Sequence, residues 1–62
     1  MTAPEDDRIR QLRHDLSNPL SAILAETQLL LLRASELDPE TVTSLKEIEG
    51  LSRRMRDILQ QN

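Results

Sequence analysis

The sequence has no cysteine, no phenylalanine, tyrosine or tryptophan, and only one glycine and one histidine. Without cysteine there is no disulfide and no thiolate metal site, and a lone histidine cannot complete a structural zinc site, so no covalent or metal staple holds the fold. Without aromatics there is no platform for stacking bases, and a formal net charge of −3 opposes any sequence-independent grip on phosphate backbones. Nucleic acid is not expected as a partner. Long hydrophobic runs are also missing: none exceeds four residues, as at 29–32, whereas roughly 20 are needed to span a bilayer. The N-terminus lacks the basic-then-apolar order of a secretion signal. The segment reads as cytoplasmic, without membrane contact.

What remains is a chain of 62 residues, 37% apolar and 31% charged, the balance of an amphipathic helical protein. A chain this short rarely buries enough apolar surface alone to offset the entropy of ordering it, so self-association is the expected source of stability. Only the stretch around Pro39 carries full turn chemistry. Two helices in one domain follow, covering residues 1–62: helix 1 at about 5–34, a turn at about 34–38 and helix 2 at about 39–60. Thr2 and Glu5 have the spacing of a capping box at the first start. At the second, Asp38 suits the N-cap, Pro39 the first helical position, and Leu37 and Val42 a hydrophobic staple. So short a connection sets the helices antiparallel.

Apolar spacing supports helix over strand. Ile9, Leu12, Leu16, Leu20, Ile23, Thr27 and Leu30 form a seam in helix 1, and Ile48, Leu51, Met55 and Ile58 form one in helix 2. Leu24 and Leu31 lie beside the first seam, and Val42, Leu45 and Leu59 beside the second. One hairpin has too little partner surface for both arcs, so the expected fold is all-α: an antiparallel two-helix hairpin that homodimerises into a four-helix bundle. Pro19 cannot donate to the Asp15 carbonyl and marks a kink in helix 1. Helix 1 should overhang helix 2 by about eight residues, roughly 12 Å, as a piece of a longer chain would.

At about 100° per residue, His14 points roughly 150° away from the helix 1 seam, into water. Asn18, Ser21, Ala25 and Gln28 follow it on one uncharged stripe of mostly small side chains, unlike the outer side of helix 2 with Lys46, Glu47, Arg53, Arg54 and Asp57. Such a stripe suits a docking partner protein. On position alone, a surface histidine more often does nothing.

The string His14-Asp15-Leu16-Ser17-Asn18-Pro19-Leu20, with Ile23 after it, resembles the H-box of sensor histidine kinases. In that pattern a histidine is followed by an acid, an aliphatic, any residue, threonine or asparagine, then proline-leucine, with an aliphatic three residues on. Ile48, Met55, Ile58 and Leu59 fall as in the family's second dimerisation helix. Three positions depart: Arg13 stands for the common serine, Ser17 for a common arginine, and Ile9 for a frequent aromatic. The resemblance implies a dimerisation and histidine phosphotransfer domain of two-component signalling. His14 would accept the γ-phosphoryl group of ATP and pass it to an aspartate on a response regulator receiver domain.

In that setting a neutral imidazole is the nucleophile. Asp15 takes the role of general base and orienter at the other ring nitrogen, although adjacent helical residues point about 100° apart. Asn18 positions water for dephosphorylating the regulator, Pro19 supplies the structural kink, and Ser17, Ser21, Ala25 and Gln28 meet the docking partner. One glycine cannot build a phosphate cradle. ATP and Mg²⁺ therefore belong to a separate ATP-binding domain, and neither cofactor nor metal is expected on this chain, which is not an ATP-dependent kinase alone. A purely structural dimerisation module and a phosphorelay intermediate are the alternatives. The latter family usually has a lysine and glycine after its histidine, and neither follows His14.

Overall fold

The structure, a computed structural model, describes residues 4–61, with side chains from Asp6 onward. Two helices, α1 (Pro4–Leu31) and α2 (Pro39–Gln60), fold back on each other as an antiparallel hairpin, with no strand among the described residues. The capping box expected between Thr2 and Glu5 lies outside the described residues and side chains. Glycine is absent from α1, and Pro19 sits inside it. That proline removes one backbone donor, yet α1 is a single continuous helix across it.

Helix α1 ends at Leu31, short of the expected 34. Leu32 N–H still reaches the Gln28 carbonyl at 3.1 Å, but Arg33 then bonds Leu30 at 3.0 Å. Glu36 bonds Arg33 at 2.9 Å and Leu37 bonds Ala34 at 3.1 Å, so the chain tightens into a 3₁₀ turn over Ala34–Glu36. The early exit has a backbone cause. Pro39 disfavours helical geometry at Asp38, which is extended at φ −69° and ψ 155°, and Leu37 is extended too, at φ −107° and ψ 153°. With no glycine here to supply a left-handed cap, the reversal is built from 3₁₀ bonds instead.

Helix α2 starts as its sequence requires. The Asp38 carboxylate accepts from Thr41 N–H at 3.2 Å and from the Thr41 hydroxyl, and Pro39 opens the first turn. These two bonds, the hydroxyl first, hold the Asp38 carboxyl below its ordinary pKa. Leu37 and Val42, the staple pair, are both half-buried.

The hairpin closes along a narrow row. On α1 it comprises Arg13, Ser17, Leu20, Leu24, Thr27 and Leu31, in alternating steps of four and three; on α2 it comprises Val42, Leu45, Glu49, Ser52 and Leu59. Its buried members are Leu20, Leu24, Thr27, Leu45 and Ser52, and no side chain among the described residues is fully buried. Thr27 satisfies its hydroxyl on its own helix, donating to the Ile23 carbonyl at 2.7 Å.

The roles of the two apolar arcs therefore differ from the sequence expectation. Leu24, Leu31, Val42, Leu45 and Leu59, expected beside the seams, close the hairpin. Of the seam residues only Leu20 and Thr27 are buried, whereas Ile9, Leu12, Leu16, Ile23, Leu30, Ile48, Leu51, Met55 and Ile58 are all exposed. Spacing alone could not separate arcs that adjoin on the same helix. The exposed arcs of α1 and α2 meet in a continuous apolar groove lined by Leu16, Pro19, Ile23, Ile48, Leu51 and Met55, with Leu20 and Ser52 at its floor. The helices are 28 and 22 residues long, a difference worth about 9 Å of axial length rather than 12.

Candidate functional site

His14 lies in the first half of α1 and is exposed. At about 100° per residue it points roughly 180° from the exposed apolar row and about 100° from the row that closes the hairpin. The imidazole thus occupies the one broad face of α1 that neither apolar row uses. Asn18, Ser21, Ala25 and Gln28 continue that face toward the turn, and all four are exposed. α2 of the same chain leaves the stripe uncovered.

Ser17 departs from the stripe. It is half-buried on the hairpin-closing row, between Arg13 and Leu20, because three residues beyond His14 the helix has turned it toward α2. Pro19 is exposed and lines the apolar groove on the opposite side from His14.

Asp15 is not turned toward His14. Its Oδ1 accepts a 2.9 Å hydrogen bond from Gln11 Nε2, one turn back. Neighbouring helical side chains diverge, whereas those four apart stack, so the longer spacing wins. Gln11 is a residue that sequence reasoning missed; its four-residue spacing from Asp15 was the available signal. The bond holds one carboxylate oxygen and leaves Oδ2 without a partner among the described side chains.

A second feature was also missed. At the turn end of the stripe Ala25, Gln28, Leu29 and Leu32 line a shallow apolar hollow, where Leu32 is 82% exposed. Leu32 stands eighteen residues, five full turns, beyond His14 and so returns to the same face. The stripe therefore runs from an imidazole through small uncharged side chains to an exposed apolar end.

No group of three or more His, Cys, Asp or Glu side chains among the described residues could hold a metal ion, and no helix described is long and apolar enough to cross a membrane. Chemically the site offers one imidazole, an amide one turn on and an oriented carboxylate, all on a convex helix surface that a large partner can reach.

Comparison with family models matches residues 6–62 to the His Kinase A (phospho-acceptor) domain. Neither the curated proteins nor the solved structures gave a match.

Proposed function

Because the chain belongs to the His Kinase A (phospho-acceptor) domain family of histidine kinases, we propose that His14 is the residue phosphorylated and that its hairpin is one half of a homodimeric four-helix bundle. The observation that carries the reading is the position of His14, exposed and on the face opposite the unpartnered apolar row. A second copy covering that row leaves both imidazoles outside.

One imidazole nitrogen attacks the γ-phosphorus of ATP held on a separate ATP-binding domain. The N–P bond forms, the bond from γ-phosphorus to the bridging oxygen breaks, and ADP leaves. ATP and Mg²⁺ both belong to that other domain. The proton on the second ring nitrogen goes to Asp15 Oδ2 once a side-chain rotation brings it near, while Gln11 keeps the carboxylate over this turn of the helix. A receiver domain of a response regulator then docks along Ser21, Ala25 and Gln28, with Leu29 and Leu32 as the apolar end of its footprint, and its aspartate takes the phosphoryl group. Asn18, one turn from His14, orients a water for hydrolysis of the regulator's phosphoaspartate.

Incubation of the chain with a histidine kinase ATP-binding domain and labelled ATP tests this reading. Acid-labile label that vanishes in His14→Ala supports it, whereas label persisting in that variant contradicts it. A structural dimerisation module would take no label at all. Asn18→Ala should accept phosphoryl groups as before yet dephosphorylate the regulator at least tenfold more slowly; equal loss of both activities would remove the role given to Asn18.

A further inference from the structure

Six of the eight basic residues lie at the His14 end of the hairpin: Arg8, Arg10 and Arg13 on α1, and Arg53, Arg54 and Arg56 on α2. The ion pairs among the described residues engage Arg33 with Glu36, Arg53 with Glu49 at 3.3 Å, and Arg56 with Asp57 at 4.0 Å. Arg8, Arg10, Arg13 and Arg54 take part in none. Arg13 is half-buried on the hairpin-closing row, and Arg8 points about 120° from His14. Arg10 differs from both. It is exposed, four residues before His14 and on the same face, with Cβ atoms about 6 Å apart by helix geometry.

Helical side chains lean toward the N-terminus, a direction that carries the His14 ring toward the turn of Arg10, whose long flexible side chain can swing back to meet it. Asp6 and Asp7, a turn earlier, form no ion pair with Arg10, and Asp15 is engaged by Gln11. A phosphoryl group on the outer ring nitrogen adds nearly two negative charges and three acceptor oxygens, a ligand for any cationic side chain within reach. We propose that Arg10 is a positioning residue for the phosphoryl group on His14, binding it as it arrives and holding it on the imidazole afterwards. This rests on the assignment of His14 as the phosphoacceptor and deepens it.

The full chain can be tested without any kinase domain by using phosphoramidate as donor. The imidazole lone pair forms the new N–P bond, the donor's P–N bond breaks, ammonia leaves, and the remaining ring proton passes by way of Asp15 to solvent. Arg10→Ala should slow labelling of His14 about three- to fivefold, the range of a solvent-exposed charge contact, and should move the ³¹P resonance of the phosphohistidine. Arg10→Lys should restore most of the rate, and Arg8→Ala should match the parent. Equal rates and an unmoved resonance in Arg10→Ala would overturn the role of Arg10 while leaving His14 as acceptor. Failure of lysine to restore the rate would also overturn it. A parent chain that takes no label at His14 would instead remove the acceptor assignment itself.

Discussion

The two apolar arcs of the hairpin differ in what they offer. The row that closes α1 on α2 is narrow and mixed, with Arg13, Ser17, Thr27, Glu49 and Ser52 interrupting its leucines. The outward row, from Ile9 to Leu30 on α1 and from Ile48 to Ile58 on α2, is made of large aliphatic side chains and methionine and is left in water. A single hairpin thus exposes its stronger apolar surface and buries its weaker one. In the proposed dimer a second copy covers the outward row and supplies stability, and the third face, with His14 on it, stays outside both contacts.

The largest effect is expected on the outward row. Paired substitutions Leu51→Asp and Met55→Asp place charges where the proposed second copy packs, and should cost several kcal/mol of dimer stability. The expected result is loss of helical circular dichroism at micromolar concentration, while the parent melts at a temperature that rises with protein concentration. A variant that stays folded and dimeric would show that this row is not the interface. Next comes the inner row. Leu24→Ala, at 7% exposure, should lower stability by about 2–4 kcal/mol in denaturant titration. Thr27→Val should change it by less than about 1 kcal/mol, because that hydroxyl bonds its own helix rather than α2.

The smallest effect belongs to the cap of α2. The folded-state pKa of Asp38 is lowered by the Thr41 hydroxyl and N–H. Its contribution is therefore present above the unfolded value and is lost as pH falls through the folded one, below about pH 4. The melting temperature of the parent should drop modestly in that acid window, and Asp38→Ala should be lower at neutral pH with less of that drop. An unchanged acid profile in the variant would show that other carboxylates cause the loss.

Much of this was legible beforehand because local chemistry decides it. Asp38, Pro39, Leu37 and Val42 announce the start of α2, and the three-and-four spacing of leucines announces both helices. The end of α1 was not legible, since no glycine marks it and the extended geometry that Pro39 imposes acts from eight residues away. The choice between arcs was hidden because Leu20, Ile23, Leu24 and Thr27 follow one another within two turns, and only the packing of α2 decides which face it covers. At the site, the angle of His14 follows from counting residues. Ser17 facing inward and Asp15 bonding Gln11 depend instead on which side chains meet in three dimensions.

If His14 is the phosphoacceptor, its imidazole stays open to water when two copies associate. The direct measurement is the rate at which diethyl pyrocarbonate modifies His14 as protein concentration carries the chain from monomer to dimer. The rate should stay constant within about twofold; a fall of tenfold or more on association would place the ring inside the contact and contradict the assignment.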